Sequence, residues 1–301
     1  MKTAGVVVTY NRKELLLENL KMLVAQTVLL DKIIIVDNHG TDGTRDFLEE
    51  NHCFENDTIQ YVYLPENIGG AGGFETGTKM AYEQGYDCIW LMDDDGKPVN
   101  EKCFEEIISY AKHVYATNPK FMLNSFVTGS DTCMSFGING TYAVEKVRGF
   151  AVDGIIDGQI NPFNGTLISK ELVREIGFPN GAFFIKGDEE DYTVRARHAG
   201  AKIATVVSSE YHHPILEEVY VNFLCFRIKC KIEAPWKEYY RVRNRTVIFI
   251  REHKYSKVLR LFLSRVKDTF LSDCPKIETL KMIFKGLHDG LHKKLGIEVK
   301  P

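Results

Sequence analysis

Long hydrophobic runs are missing: no stretch of the 301-residue chain approaches the ~20 consecutive apolar residues that cross a bilayer as a helix. Cysteine is present seven times but never as Cys-x-x-Cys, and the nearest pair, Cys225 and Cys230, lacks a second pair to complete a zinc cage. Free thiols in a reducing compartment are therefore expected. The opening "MKTAGVVVTYN" reads as a strand entering a polar turn rather than as a secretion signal, so a cytoplasmic location is expected. Two nucleotide motifs are also missing. A dinucleotide fold needs G-x-G-x-x-G after its first strand, where this chain has "TYNRKE", and no G-K-[ST] ends a glycine loop. These absences exclude NAD-type binding and P-loop ATP hydrolysis.

What is there is an alternation. "AGVVVT" at 4–9, "DKIIIVDN" at 31–38, "TIQYVYLPEN" and "YDCIWLM" read as strands. The segments between them carry helical patterns, such as Leu15, Leu16, Leu20 and Leu23 on one face, or the glycine-opened "GGFETGTKMAYEQG". Strands apolar on both faces, alternating with helices, predict an α/β fold with a mostly parallel sheet covered on both sides. A chain 44% hydrophobic at this length can bury one large core or two fused ones. The net charge of −3 hides an asymmetry: residues 1–220 carry 19 Lys and Arg against 33 Asp and Glu, residues 221–301 carry 19 against 8. The basic part calls for an anionic neighbour or lies against the acidic part.

Ligands of such sheets bind beyond the carboxyl ends of the strands. Those ends offer Thr9, Tyr10, Asn11 and Arg12, then Asp37 and Asn38, then Asn67 with its glycines, then Asp93, Asp94 and Asp95. Three adjacent carboxylates repel unless a cation offsets them, and in a tight turn Asp93 and Asp95 can share one while Asp94 faces elsewhere. Mg²⁺ and Mn²⁺ take such oxygen ligands together with substrate phosphates. The plain alternative is an Asp-rich turn capping a helix. Gly69, Gly70, Gly72 and Gly73 would let backbone approach a bulky anionic ligand at a helix N-terminus, or serve only a flexible turn.

"VVVTYNRKELL", "MLVAQT", "IIIVDNHGTDGT", "YLPENIGGAGGFETG", "IWLMDDDGKP", "NPFNGTLIS" and "FFIKGDEEDYTVRARHAG", in this order and spacing, resemble family 2 inverting glycosyltransferases of GT-A fold. Within these they are most similar to the bacterial galactofuranosyltransferase and rhamnosyltransferase branch of cell-surface polysaccharide assembly. The resemblance spans roughly residues 4–245. It implies a catalytic domain over 1–245, with a nucleotide-sugar half (1–100) and an acceptor half (101–245), followed by a helical tail at 246–301.

The resemblance implies nucleotide contacts from Thr9, Tyr10, Arg12 and Asp37, and a donor cleft lined by Asn67 and Gly70, with Asp94 beside the donor. It implies a Mn²⁺ or Mg²⁺ site at Asp93 and Asp95, completed by a downstream histidine of "EYHHP", His213 before His212. In "KGDEEDYTVRARHAG", four acids open a helix, where one or two are explained by capping. By position in the family motif Glu189 is the base and Asp188 an acceptor contact. Phe163 and Asn164 are expected at the acceptor, with a plain turn as the alternative. Gly187 stands where some relatives have Trp, and Glu189 where many have Asp, which opens the acceptor's identity.

The donor expected from this resemblance is UDP-galactofuranose, with dTDP-rhamnose as the alternative, and the expected acceptor is a hydroxyl of a lipid-linked glycan. A nucleotidyltransferase would need a glycine-bearing triphosphate loop after the first strand, and a non-catalytic nucleotide-sugar binder would not need both acidic motifs. No nucleic-acid partner is expected. In the tail, Leu259, Phe262, Val266 and Phe270 form one apolar stripe, and Ile277, Leu280, Phe284, Leu287 and Leu291 another, with lysines and arginines off them. Such helices lie on anionic lipid at the inner face of the plasma membrane, pack on the catalytic domain, or form a homo-oligomer contact.

Overall fold

A computed structural model describes residues 1–161, 163–215, 219–223, 226–230 and 232–300. The first unit, residues 1–179 with 192–215, opens with four β-strands and intervening α-helices: β1 (Thr3–Thr9), α1 (Lys13–Val24), β2 (Lys32–Asp37), α2 (Thr44–Glu50), β3 (Ile59–Tyr63), α3 (Gly69–Glu83) and β4 (Cys88–Asp93). It continues through β5 (Lys97–Pro98), α4 (Cys103–Tyr115), β6 (Phe121–Thr128), β7 (Cys133–Ile138), β8 (Thr141–Ala143), α5 (Val144–Arg148), β9 (Ile155–Asp157), β10 (Thr166–Ser169) and α6 (Lys170–Ile176). Helix α7 (Asp188–His198) and β11 (Lys202–His212) follow.

The main sheet runs in the order β3-β2-β1-β4-β10-β6-β11-β5. The first four are mutually parallel, as are β6 and β11, while β10 is antiparallel to both of its neighbours. Register aligns Val8 with Val36 on one side and with Asp93 on the other, so the expected polar strand ends share one edge.

Alternate side chains feed opposite cores, the period-2 rule of a pleated strand. Val7, Ile35, Trp90 and Met92 pack with α1 and α4; Val6, Val8, Ile34 and Leu91 pack with Phe74 of α3, Leu172 of α6, and Tyr192 and Ala196 of α7. The helix face of α1 differs by one residue from expectation: Leu17 joins Leu16, Leu20 and Leu23 in the core, and Leu15 is exposed. Helix α3 starts at Gly69, earlier than its pattern implied. A Cβ on Gly73 would lie 2.5 Å from Val8 and one on Gly77 2.3 Å from Val6, so these glycines let the helix seat on β1. Gly72 and Gly73 are thus packing residues rather than ligand approaches.

The second unit comprises residues 180–191 and 216–301. It holds a hairpin of β12 (Val219–Phe223) and β13 (Phe226–Cys230), then helices α8 (Pro235–Arg251), α9 (Tyr255–Leu271) and α10 (Lys276–Leu291). Within this unit α8 packs on α10: a Cβ on Gly286 would meet the Tyr239 carbonyl at 2.6 Å. Among the described residues no helix is long and apolar enough to cross a membrane, and the described cysteines Cys53, Cys88, Cys103, Cys133 and Cys274 are free thiols.

Glu233 accepts from Lys186 at 2.8 Å and from Arg241. Burial opposes its charge, but the two cations prevail and lower its pKa to about 2. A depressed carboxylate stabilises the fold fully above the ordinary glutamate range, and this contribution is lost as pH falls from about 4.5 towards about 2. Glu233→Gln should therefore cost on the order of 2 kcal/mol at pH 7, after allowance for partial solvent screening, and far less at pH 3. Urea midpoints of both proteins at the two pH values check this; an equal cost at both would show that the charge is not what stabilises.

Candidate active site

Strand β4 delivers Asp93, Asp94 and Asp95 one after another, and each meets a different neighbour. Asp94 is buried and turned towards β1: it accepts from the Thr9 hydroxyl at 2.8 Å, the Tyr10 N–H at 3.3 Å and Arg12 at 3.2 Å. Burial outweighs these partners and lifts its pKa to about 6. Asp95 also takes Arg12, at 2.5 Å. Asp93 is pushed up to about 7, first by burial and then by the charges of Asp95 and Asp94. The Asn164 amide donates to its Oδ2 at 3.2 Å.

The third side of the cluster comes from β11. A bulge between Val206 and Glu210 shifts the register against β6, and His213 follows the strand with its N–H on the Thr128 carbonyl. Asp93, Asp95 and His213 then bring one ligand atom each within 4.8 Å of one another. His212 does not join them; it lines a surface depression with Glu18, Lys97 and Thr128, as alternation along a strand requires. The His213 ring contacts its own carbonyl neighbour: Nδ1 lies 2.8 Å from the Pro214 oxygen, which can only accept. Nδ1 therefore carries a proton, and Nε2 faces Asp95 Oδ1 at 3.3 Å. In neutral imidazole that places a lone pair against a carboxylate, which only a proton or a cation between them relieves. Two carboxylates and an imidazole suit Mn²⁺ or Mg²⁺, and the Pro214 contact is of the kind that would fix such a histidine as a ligand.

Several residues expected at ligand contacts are buried. Thr9 and Asp37 are each 1% exposed. The Thr9 hydroxyl is spent on Asp94, and the Asp37 carboxylate accepts from the Gly40 N–H and the Tyr61 hydroxyl, which shapes the loop after β2. Asp94 serves the same internal purpose. Phe163 is 2% exposed and packs edge-on against Phe74 and Tyr192 in the core. Asn164 is buried too and orients Asp93. Tyr10 and Arg12 remain exposed, Asn67 is half-buried, and a Cβ on Gly70 would meet nothing within 4 Å. Asn67 holds the start of α3: its amide oxygen accepts from Asn38 at 3.0 Å and from the Gly69 N–H at 2.9 Å.

The acidic run lies at the first turn of α7, and in the second unit its members have separate fates. Asp191 is buried and pairs with Arg251 at 2.5 Å, and Glu190 pairs with Arg245 at 3.1 Å. Asp188 is buried, and half-buried Glu189 folds back to accept the Gly187 N–H at 3.2 Å. The loop before them is strained: Phe184 and Lys186 both have φ of 65°. Two residues of α8 that sequence reasoning passed over hold it. The Asn244 amide donates to the carbonyls of Phe183, Ile185 and Lys186 at 2.7–3.0 Å, and Arg243 donates to those of Ala182, Phe183 and Gly296. The Arg243 guanidinium also lies over the Tyr240 ring at 4.7 Å. The only signal was "YYRVRN", a basic helix with no hint that its Arg and Asn are buried.

Residues 6–138 match the sequence profile described as Glycosyl transferase family 2. The chain is 29% identical over 246 residues to "Galactofuranosyltransferase GlfT1" of Mycobacterium tuberculosis, covering 80% of each protein. It is 22% identical over 251 residues to "dTDP-rhamnosyl transferase RfbF" of Shigella flexneri, covering 83% of this chain and 80% of that one. The fold is shared with the mannosyltransferase PcManGT of Pyrobaculum calidifontis, solved with GDP-Man and Mn²⁺, at a TM-score of 0.54 and 14% identity over 97% of this chain and 75% of that one. The profile over the rim-forming strands, the curated relatives along four fifths of the chain and the GT-A sheet agree: residues 6–138 are similar to glycosyl transferase family 2.

Proposed function

We propose that this glycosyltransferase moves galactofuranose from UDP-galactofuranose, with inversion, to a hydroxyl of a bacterial cell-surface glycan acceptor carried on lipid. The observation that carries the metal-dependent part is the triad of Asp93, Asp95 and His213, whose Nε2 lone pair faces a carboxylate. The galactofuranose part is supported by the 29% identity to a galactofuranosyltransferase, against 22% to a rhamnosyltransferase, which keeps dTDP-rhamnose as the second donor to test.

In this reading Asp93, Asp95 and His213 would hold Mn²⁺ or Mg²⁺, which supplies positive charge to the donor diphosphate. Asn164 orients Asp93, and Arg12 reaches both Asp94 and Asp95 while remaining open to a nucleotide diphosphate. Tyr10, Asn67 and Gly70 line the donor side. Glu189 takes the proton from the acceptor hydroxyl, whose oxygen bonds to the anomeric carbon as the bond from that carbon to the diphosphate breaks, releasing UDP. Asp188 holds the acceptor sugar.

Incubation with Mn²⁺ and a panel of nucleotide-sugars, with products weighed by mass spectrometry, tests the whole reading. UDP and a glycosylated acceptor are expected; pyrophosphate release would instead indicate a nucleotidyltransferase. Asp93→Ala, Asp95→Ala and His213→Ala should each lose Mn²⁺-dependent donor binding in calorimetry, with the melting temperature retained. Unchanged donor affinity in all three would leave the aspartates as a turn.

Glu189→Gln should lower turnover by roughly 10²-fold or more with donor affinity unchanged, because it cannot accept the proton. Asp188→Asn should raise the acceptor KM, and Glu190→Gln should be nearly silent. Were Asp188→Asn to abolish turnover while Glu189→Gln retained it, the base would be Asp188. Asn244→Ala frees three carbonyls of the strained loop; kcat should fall about tenfold or more with donor Kd unmoved. A drop in melting temperature without that kcat effect would assign Asn244 to stability alone.

A further inference from the structure

Helices α9 and α10 are built with their polarity reversed. The buried positions of α9 are Val258, Arg265, Asp268 and Thr269, and those of α10 are Thr279, Ile283, Gly286, Asp289 and Gly290. Inside, Arg265 pairs with Asp268 and lies 3.9 Å from the fully buried Glu238 of α8, and Asp289 accepts from Tyr239 and Lys285 at 2.7 Å. Of the apolar stripes expected from the sequence, Leu259, Phe270, Ile277, Phe284 and Leu291 point outward, and Phe262, Val266, Leu280 and Leu287 are half-buried at their edge. Leu259, Leu263, Phe270, Ile277, Phe284 and Leu291 are 51–74% exposed. Phe262 and Phe284 meet edge to face at 5.1 Å, which joins the two stripes into one surface. A groove of about 610 Å³ lined by Ser256, Leu259, Arg260, Leu263, Ser264 and Lys267 opens on α9. A helix pair that puts ion pairs inside and leucine and phenylalanine outside has not matched its surface to water; single exposed apolar residues need no explanation, but a joined patch marks an interaction surface.

The charges around the patch identify what covers it. Lys254, Lys257, Arg260, Lys267, Lys276 and Lys281 are exposed on the same two helices or beside them, against Asp273 and Glu278. A second copy docked face to face would set one basic rim against another. A bilayer with anionic headgroups offers apolar depth for the stripes and negative charge for the rim. We propose that the outer face of the α9–α10 pair is a docking surface for an anionic lipid bilayer, lying in the headgroup plane without spanning it.

Flotation of the full chain with vesicles tests this without donor or acceptor, so its outcome is independent of the sugar-transfer reading. The wild type should float with vesicles of phosphatidylcholine containing phosphatidylglycerol, about tenfold or more better than with phosphatidylcholine alone, and high salt should weaken the binding. The triple variants Phe270→Ser/Ile277→Ser/Phe284→Ser and Arg260→Gln/Lys267→Gln/Lys281→Gln should each lose at least about tenfold of that binding while keeping the melting temperature, since every changed position is exposed. Sedimentation equilibrium supplies the other arm. A wild-type dimer that the serine variant dissociates, with no vesicle binding, would assign the face to a second copy. A wild-type monomer that floats with neither vesicle would overturn the proposal as well.

Discussion

Three carboxylates on consecutive residues at the end of a buried strand cannot be left to water, and much of the first unit is arranged around that repulsion. Each aspartate is answered by a different segment. Asp94 is met by Thr9, the Tyr10 N–H and Arg12 from the loop after β1; Asp93 by Asn164 just before β10; Asp95 by Arg12 and His213. The answer is incomplete. Burial and mutual repulsion still raise Asp93 to about 7, whereas Asp95, despite its own burial, is lowered by His213 and Arg12. Asp93 and Asp94 thus stay costly to ionise, and an added cation beside Asp93, Asp95 and His213 would relieve them.

That demand explains why the sheet changes direction where it does. Parallel strands β1, β2 and β4 bring loops to one edge, but the residues that answer Asp93 and Asp95 lie far along the chain. Antiparallel β10 starts beside β4 and so carries Asn164 to its end, while β11, parallel to β6, carries His213 through its bulge towards the same aspartates. The sheet topology and the Asp93, Asp95 and His213 cluster are linked, since neither β10 nor β11 would deliver its residue there in the opposite sense.

The parallel half of this architecture was legible because both faces of its strands are buried and its helices are periodic; "VVVT", "IIIVD" and "IWLMD" leave little choice. The aspartate pair and His213 were legible because hard-cation chemistry restricts residue type and the family motif supplies order. The direction of side chains at the rim was not. Thr9, Asp37, Asp94 and Phe163 sit in motif positions that read as ligand contacts, and their side chains are buried with partners inside the fold. A polar residue that shapes a cleft and one that lines it look alike in sequence, because both need the same donors and acceptors. Arg243 and Asn244 were missed for the converse reason: on a basic helix, nothing in residue type distinguishes a solvated arginine from one buried against three carbonyls and two tyrosine rings.

The tail shows the same ambiguity at larger scale. Periodicity places Leu259, Phe262, Val266 and Phe270 on one side of a helix, but it does not say which side faces inward. Burial is decided by what α8 presents. Its buried Glu238 and Tyr239 demand charged and hydrogen-bonding partners, and α9 and α10 meet them with Arg265, Asp289 and a glycine at the point of closest approach. Once the polar faces are committed inward, the apolar stripes have nowhere to go but out. The reversed polarity therefore follows from the same helix that holds the strained loop before Asp188 and Glu189: α8 turns Glu238 and Tyr239 to its helical neighbours and Arg243 and Asn244 to that loop.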